Sequence, residues 1–411
     1  SVDAAWVVPH FEKMLYYNAL LLRFYAHWAR RDADALARRV TDETARFIID
    51  GLGADGVFAS SLDADADGVE GLTYAWTPTE FDDVLGTDSD WAAALFGVTE
   101  VGTFERGSSV LQLRADPDDW ARHARVRAAL VAARSRRPQP ARDDKAVTAW
   151  NGLAITALVE ASVALGRREY LDAAITCARE LLRLHLVDGR LRRASLGGVV
   201  GDSAAILEDY AALASALCAV YQQTGEQFWL TAATGLIDTA LDHFADPQRP
   251  GHWFDTADDA EALVLRPADP LDGATPAGAS AIAEALQLAA HLSADPRYRA
   301  AADATLAAAT TVLAKAPRSG GHWLAVAEAA VRGPIQIAVA CDPADSHLLA
   351  AARMLAPGGA VVVGGEPDSG ELLRGRDRVG GCDAAYVCRG RVCDLPVRTV
   401  EDLDTALRRA V

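Results

Sequence analysis

A repeated pair of helical patterns constrains the fold of this chain more than any other feature. Three Ala-rich stretches, residues 166–186, 225–244 and 294–313, each begin at a turn, carry an aromatic residue and continue with apolar residues three and four positions apart. This spacing is typical of amphipathic helices. Each stretch follows another helical pattern, and a further pair opens the chain and runs to residue 50. The preceding patterns are residues 148–165, 205–223 and 277–292. A lone helical hairpin buries too little surface to be stable, so the sequence predicts a mainly α fold of stacked hairpins.

The connections between the hairpins are long, polar and rich in glycine. They span residues 51–81, 187–203 and 246–276. Long connections that recur at the same end of each hairpin are where a helical toroid builds its pocket. We therefore expect the functional residues at this end of the hairpins.

The pattern changes near residue 333. Residues 334–341 and 359–365 are typical of short buried strands, and residues 345–356 between them are typical of a helix, which together predict a small βαβ-like unit. We expect a helical domain over residues 1–332 and a small α/β appendage over residues 333–411. The appendage has no G-x-G-x-x-G or P-loop motif, so its sequence does not support a nucleotide site.

Charge and cysteine content narrow the classes of partner and ligand. The formal net charge is -17, which repels polyanions and disfavours nucleic acid as a partner. No stretch approaches the roughly 20 uninterrupted apolar residues of a membrane span. Six cysteines in 411 residues do not predict a disulfide scaffold, and we expect a cytoplasmic location. Cys382, Cys388 and Cys393 fit no common zinc spacing, so we interpret them as redox-inert structural residues and predict neither a metal nor a cofactor.

The first candidate site lies at the start of the opening helical pattern. His10 follows Pro9, which suits a first helical turn, and Glu12 is favoured near a helix N-terminus. One interpretation is a polar helix start with Lys13 in solvent. The other is a catalytic cluster at the pocket end of the helix, because bulky apolar residues follow at once.

The second candidate site precedes the next helical pattern. Asp143 or Asp144 suits a helix cap. Trp150 and Asn151, one turn further on, combine a flat apolar face with hydrogen-bonding groups, as in sugar-binding clefts.

The third candidate site is a pair of adjacent carboxylates, Glu208 and Asp209. They are either a solvated helix start or an acid/base pair whose pKa values differ because of their surroundings. Adjacent side chains leave a helix about 100° apart, so only one should face the pocket. We predict that Asp209 faces it beside Asp144 and Trp150, and that Glu208 reaches toward a connection.

Further carboxylates and two histidines come from later segments. Asp255 and Asp272 lie in the connection 246–276, and His252 and His322 each stand in a Gly-His-Trp triplet. A histidine pair can remove and return a proton next to a carbonyl, whereas the alternative is two unrelated edge histidines. The predicted catalytic residues are Glu12, Asp144, Glu208, Asp209 and His10. The predicted substrate-binding residues are Lys13, Trp76, Trp150, Asn151, Tyr210, His252, Asp255 and Asp272.

Five motifs in order resemble those of a known family. They are SVDAAWVVPHFEKMLYYNALL, SSLDADADGVEGLTYAWTPTEF, RDDKAVTAWNGLAI, LEDYAAL and LDGATPAGAS. The chain resembles, over nearly all of its length, the thioredoxin-domain-containing YyaL-type proteins, which include spermatogenesis-associated homologues in animals. The resemblance implies an upstream thioredoxin-like domain, absent from this chain, and an (α/α)6 toroid related to N-acylglucosamine 2-epimerases and six-hairpin glycosidases. This chain would then lack the first hairpin of the toroid.

The sequence departs from the family pattern at three positions. Tyr17 replaces an acidic or polar residue, Ala279 replaces an asparagine, and His252 replaces a glycine or aromatic residue. The expected function is an epimerase or isomerase, or a hydrolase with two carboxylates. The alternative is a non-catalytic sugar- or protein-binding module coupled to the thioredoxin-like domain in a redox or quality-control role. The expected partners are a small-molecule, sugar-like ligand and that upstream domain.

Overall fold

The chain forms two compact units in a computed structural model that describes residues 2–390 and 392–409. The first unit contains the residues up to Met14 together with Ser61–Asp143, and the second contains Leu15–Ser60 and the residues from Asp144 onward. In the sequence, residues 61–143 of the first unit therefore separate the first helical hairpin from the later ones. The C-terminal α/β segment belongs to the second unit, so this division does not coincide with the expected boundary at residues 332 and 333.

The described residues contain the following elements. The α-helices are α1 (Leu15–Asp32), α2 (Ala35–Arg46), α3 (Pro78–Leu85), α4 (Ser89–Phe96), α5 (Trp120–Arg134), α6 (Thr148–Leu165), α7 (Arg168–His185), α8 (Leu207–Thr224), α9 (Gln227–His243), α10 (Gly278–Ser293), α11 (Pro296–Lys315), α12 (Gly321–Arg332), α13 (His347–Leu355) and α14 (Val400–Arg408). The strands are β1 (Lys13–Met14), β2 (Gly53–Ala54), β3 (Val57–Phe58), β4 (Ser61–Leu62), β5 (Asp65–Ala66), β6 (Val69–Glu70), β7 (Arg142–Asp143), β8 (Lys145–Val147), β9 (Leu186–Val187), β10 (Arg190–Leu191), β11 (Ala194–Leu196), β12 (Val199–Val200), β13 (Ile335–Ala340), β14 (Val361–Gly365), β15 (Ala384–Arg389) and β16 (Val392–Cys393).

The second unit is built from helical hairpins. The pairs α1 and α2, α6 and α7, α8 and α9, and α10 and α11 pack together, and a π-helical turn, Phe47–Gly51, extends α2. The first helices of these pairs also pack in succession, α1 on α6, α6 on α8 and α8 on α10, and α12 follows on α10. This arrangement confirms the predicted mainly α fold and its toroid of helical hairpins.

Burial explains why the first helix of each pair, the inner helix, differs in sequence from the second, the outer helix. The inner helix α6 contacts neighbours on several sides and is buried around most of its circumference, so it is apolar all round. It has the length and hydropathy of a membrane span, but 72% of that stretch is buried inside the protein, as in a core helix. The outer helix α7 buries one stripe, which includes Leu171, Ala174 and Leu181, and exposes its charged face. Gly166 and Gly225 end α6 and α8 with positive φ angles, a conformation that favours glycine.

The helix α1 exposes large apolar side chains. Tyr17, Leu21 and Phe24 recur at helical spacing and are 48%, 53% and 60% exposed. The hairpin expected before α1 stays a prediction.

The C-terminal segment contains the predicted βαβ unit. Its sheet has the order β14-β13-β15-β16, with β13 parallel to β14 and antiparallel to β15, and α13 connects the two parallel strands. Ile337, Val362 and Leu403 lie in its apolar core. Cys388 and Cys393 form a disulfide between β15 and β16, a cross-link that the sequence did not predict, and the interpretation of these cysteines as redox-inert stays a prediction. Cys382 is a free, exposed thiol.

The first unit was not predicted as a separate body. Its three-stranded sheet has the order β1-β4-β7, and a hairpin of β5 and β6 follows β4 in the sequence. The helices α3, α4 and α5 enclose an apolar core that includes Trp76, Phe81, Phe96 and Leu130. The hairpin repeat has no copy between residues 51 and 147. This gap in the repeat could have indicated that a separate unit is inserted there.

Candidate functional site

The inner helices of the second unit surround a cavity of about 720 Å³. Side chains from α1, α6, α8, α10 and α12 line it, together with residues 356–360 after α13. A narrow recess of about 30 Å³, lined by Trp150 and Glu208, shares Arg23, Glu284 and His322 with the main cavity. The volume of the main cavity is typical of sites for small organic ligands.

Five charged or titratable side chains form one continuous chain of contacts in this cavity. Arg23 Nε donates to Glu160 Oε1 at 3.1 Å, and Arg23 Nη2 donates to Glu284 Oε1 at 2.6 Å. His27 Nε2 lies 2.6 Å from Glu160 Oε2, and His322 Nε2 lies 3.3 Å from Glu284 Oε2. Each histidine therefore contacts one carboxylate, and the guanidinium joins the two carboxylates.

The central guanidinium keeps both carboxylates ionised. Burial alone would raise the pKa of Glu160, but the charges of Arg23 and His27 outweigh it and lower the pKa to about 2. The pKa of Glu284 is well below its usual range, because Arg23 and His322 likewise outweigh burial. The two carboxylates in turn raise the pKa of Arg23, against the effect of its burial. The chain of contacts thus contains no protonated carboxylic acid at neutral pH.

Sequence reasoning missed four of these five residues. Glu160 is the single charged residue of α6, and Glu284 is the single carboxylate of α10. Arg23 and His27 are four residues apart on α1 and so share a face. A lone charged residue within an Ala- and Leu-rich helix could have indicated these positions, because a charge on such a helix needs a partner of opposite charge inside the protein.

His322 and Asp272 are the predicted residues that line the main cavity. Asp272 Oδ1 accepts hydrogen bonds from Ala277 N at 3.0 Å and from Ser280 Oγ at 2.6 Å. Its other oxygen accepts one from His322 N at 2.8 Å. Asp272 therefore holds the starts of α10 and α12 together and positions His322.

The structure reverses the predicted roles of the adjacent carboxylates. Glu208 lines the recess, and its Oε1 lies 2.7 Å from Arg193 Nη2. Asp209 is fully buried and accepts hydrogen bonds from Ala149 N and Ile206 N, each at 2.9 Å, and from Arg193 Nη1 at 2.8 Å. Burial outweighs Arg193 and raises the pKa of Asp209 to about 6. The prediction that Asp209 faces the pocket is wrong, because this carboxylate joins the starts of α6 and α8.

Two other residues that were predicted to bind substrate form hydrogen bonds within the protein instead. Asn151 is fully buried, its Oδ1 accepts from Phe58 N at 2.8 Å, and its Nδ2 donates to Phe58 O and Val147 O at 3.0 Å. The Tyr210 hydroxyl accepts from Leu191 N at 3.0 Å. Both side chains stabilise the connections around the hairpins, while neighbouring Trp150 lines the recess.

Three further predicted residues lie in the connections of the second unit. His252 is exposed and, unlike His322, is not among the residues that line the cavity. Asp255 Oδ2 accepts from Asp269 N at 3.1 Å, and burial raises the pKa of Asp255. Asp144 is exposed between β7 and β8 and does not cap α6, whose N-cap residue is Val147.

The opening cluster belongs to the first unit. The helix begins at Leu15, so the prediction that His10, Glu12 and Lys13 form its first turn is wrong. His10 and Glu12 are exposed in a segment without regular secondary structure before β1. Lys13 Nζ donates to Phe11 O at 2.7 Å and lies 3.5 Å from the centre of the Tyr74 ring. Burial and the charge of Arg134 lower the pKa of Lys13 to about 8.

Trp76, predicted to bind substrate, is also in the first unit. It is 2% exposed, packs against Phe81, and has the Arg137 guanidinium 3.7 Å from its ring centre. Its environment is that of a core residue.

Comparison with known proteins identifies the relatives of this chain. Mouse (Mus musculus) spermatogenesis-associated protein 20 is 32% identical over 334 residues, which cover 70% of this chain and 42% of that protein. The chain belongs to the family of spermatogenesis-associated protein 20. An uncharacterised protein of Caenorhabditis elegans, B0495.5, is 28% identical over 458 residues, which cover 98% of this chain and 62% of that protein. The chain thus spans less than half the length of its mouse relative in this family, and no protein-family model matches it.

Solved structures similar to this family member include carbohydrate enzymes. Cellobiose 2-epimerase from Spirochaeta thermophila aligns with a TM-score of 0.45 at 15% identity, over 74% of this chain and 61% of that chain. D-mannose isomerase aligns with a TM-score of 0.38 at 12% identity, over 72% and 76% of the two chains. A glycoside hydrolase family 76 α-mannanase from Bacteroides thetaiotaomicron gives a TM-score of 0.43 at 12% identity, over 73% and 61%.

The departures from the family pattern lie outside the chain of contacts. Tyr17 is exposed on α1. Ala279 packs on the apolar cluster that contains Trp323 and Val326. None of these positions is among the five connected side chains.

Proposed function

We propose that the cavity binds a small sugar with a carbonyl group and that the protein epimerises or isomerises it by proton transfer next to that carbonyl. The observation that carries this proposal is the pair of histidines, His27 and His322, at the two ends of one chain of contacts around Arg23. Imidazoles suit this chemistry because their ordinary pKa allows both proton removal and proton return near neutral pH.

The proposed reaction divides the work among these residues. One imidazole removes the proton from the carbon next to the carbonyl, which leaves an enediolate whose negative charge lies on oxygen. The Arg23 guanidinium stabilises that oxyanion. In epimerisation the other imidazole, as imidazolium, returns a proton to the opposite face of the same carbon. In isomerisation the proton goes to the neighbouring carbon, and a second proton moves from the hydroxyl oxygen of the first carbon to the former carbonyl oxygen. Glu160 and Glu284 orient the histidines.

The electrostatics of Glu160 and Glu284 disfavour glycoside hydrolysis by this pair of carboxylates. Two-carboxylate hydrolysis needs one carboxylic acid that is protonated before it donates to the leaving group. Glu160 and Glu284 are both held ionised by Arg23. Asp209, whose pKa is raised, is fully buried and bonded within the protein.

Exchange of the C2 proton in deuterium oxide tests the proposal. A panel of aldoses would be incubated with the protein and followed by proton NMR for loss of the C2 signal and appearance of a second sugar. We expect exchange in the wild type and a decrease of at least 100-fold in His27→Gln and in His322→Gln. The matched control is His252→Gln, which changes an exposed histidine and should leave the rate unchanged.

Three other results would contradict the proposal. Cleavage of a glycosidic bond without C2 exchange would support the hydrolase. Sugar binding without any exchange would support the non-catalytic binding module. Equal exchange in the wild type and both histidine variants would assign the chemistry to other residues. Coupling of this site to an upstream thioredoxin-like domain stays a prediction of the family resemblance.

A further inference from the structure

Two further arginines, Arg30 on α1 and Arg353 on α13, line the same cavity. Arg30 Nη2 donates to Ala356 O at 2.6 Å, and Arg353 Nη2 donates to Gln222 O and Gln223 O at 3.0 Å. Each guanidinium is therefore held in place by backbone carbonyl groups, that of Arg30 by residue 356 and that of Arg353 by the end of α8.

Neither guanidinium has an anionic partner among the described residues. No carboxylate in residues 2–390 or 392–409 forms an ion pair with Arg30 or Arg353. The Nε of each is buried and, in the same part of the chain, has no hydrogen-bond acceptor. Arg23 differs, because two carboxylates in the same cavity contact it.

The carboxylates that line the cavity are already engaged. Glu160 and Glu284 contact Arg23, and Asp272 accepts backbone hydrogen bonds. Glu328 pairs with Arg332. None of these carboxylates therefore contacts Arg30 or Arg353, although the charge of Glu160 acts on Arg30 from a distance.

Burial makes these unpaired charges costly. It lowers the pKa of Arg353 to about 10. It also lowers the pKa of Arg30, although Glu160 partly opposes that shift. Both side chains nevertheless stay protonated at neutral pH, and a half-buried charge is less stable when no counter-ion contacts it. An anion bound here would stabilise the protein as well as its own complex.

The segment beside the arginines has the sequence Ala-Pro-Gly-Gly-Ala, residues 356–360, and contributes no acidic side chain. Gly359 has a φ of +79°, and a Cβ atom there would lie 2.4 Å from the Cβ of Ala329 on α12. Glycine thus lets this segment lie directly against α12 at the cavity wall.

We propose that Arg30 and Arg353 form an anion subsite that binds the oxyanion group of a small ligand, as a sugar phosphate or a sugar acid would present. Guanidinium groups match phosphate and carboxylate oxygens in geometry and charge. The sugar part of this inference rests on the proposed function, whereas the anion part rests on the two arginines alone.

Calorimetric titration with four probes tests the subsite. The probes are inorganic phosphate, mannose 6-phosphate, glucuronate and neutral mannose. In the wild type we expect an anionic sugar to bind at least 10-fold more tightly than mannose. Arg30→Gln and Arg353→Gln should each lower that ratio by about 10-fold. The control Arg168→Gln removes an exposed arginine that pairs with Asp172 and should leave the ratio unchanged. Comparing the affinity for phosphate with the affinity for glucuronate shows whether the subsite prefers a phosphate or a carboxylate group.

A second pair of variants distinguishes loss of anion binding from loss of the folded structure. Arg353→Gln removes the bonds to the end of α8, so Arg353→Lys and Arg30→Lys, which keep the charge, would be titrated in parallel. The lysine variants should retain more of the preference than the glutamine variants do.

The outcomes separate this inference from the proposed function. If neutral mannose undergoes C2 exchange but no anionic probe is preferred, the subsite is refuted and the proposed function stands. If phosphate or an anionic sugar binds in an arginine-dependent way but no sugar exchanges its C2 proton, the subsite stands and the proposed function fails. Failure of all three anionic probes to bind, or a preference unchanged in both arginine variants, refutes the subsite.

Discussion

Replacing Glu160 with glutamine tests whether the charges of the cavity stabilise the fold. Glutamine keeps the shape of the side chain and an oxygen for Arg23, but it removes the negative charge next to Arg23 and His27. We expect a less stable protein at neutral pH, because the Arg23 guanidinium then has one anionic partner instead of two.

The size of the effect follows from the pKa of Glu160. The pKa falls from 4.5 to about 2 on folding, and each unit corresponds to about 1.4 kcal/mol, so the ionised carboxylate contributes about 3 kcal/mol to the free energy of unfolding. Its side chain is 18% exposed, so screening by solvent reduces this value little.

The same contribution depends on pH in a defined direction. The pKa of Glu160 is lower in the folded than in the unfolded protein, so the stabilisation is complete above about pH 4.5 and is lost as the pH falls toward 2. The difference between wild type and Glu160→Gln should therefore decrease from about 3 kcal/mol at pH 7 to about 2 kcal/mol at pH 3.5.

Urea unfolding followed by circular dichroism at both pH values measures these differences. The control Glu169→Gln changes a carboxylate that is 56% exposed, and its effect should stay below about 0.5 kcal/mol at either pH. A loss under about 1 kcal/mol at pH 7, or a difference that does not change with pH, would refute this account of the cavity electrostatics.

Two further substitutions distinguish structural from functional roles among the predicted residues. Asn151→Ala removes bonds to the backbone of Phe58 and Val147 and should lower the free energy of unfolding by about 3 kcal/mol in urea titrations; a loss below about 1 kcal/mol would contradict the structural role. Asp209→Asn leaves buried donors, Arg193 among them, without full partners and should cost about 2 kcal/mol, while C2 exchange per folded molecule stays unchanged. Loss of exchange in a fully stable Asp209→Asn protein would restore Asp209 as a catalytic candidate.

The helices were accessible to sequence reasoning because helical periodicity is local. The predicted stretch 148–165 coincides with α6, and the βαβ unit follows from two short apolar runs around an amphipathic helix. The prediction that α1 begins near His10 failed because residues 13 and 14 pair with residues 61 and 62 as strands, a contact that no local pattern indicates. The family itself was recognisable from motifs, and the comparison with mouse spermatogenesis-associated protein 20 confirms it.

The sequence by itself determined the hairpins, the C-terminal α/β segment and the family. Only the tertiary structure decided which polar residues meet. Arg23 contacts Glu160 and Glu284, which lie 137 and 261 residues further along the chain. Sequence reasoning favoured carboxylates at helix starts, but Asp209 and Asp272 accept backbone hydrogen bonds there. The charges that face the cavity instead lie in the middle of apolar helices. Their pairing depends on how five helices are arranged around one space, and that arrangement results from packing between distant segments.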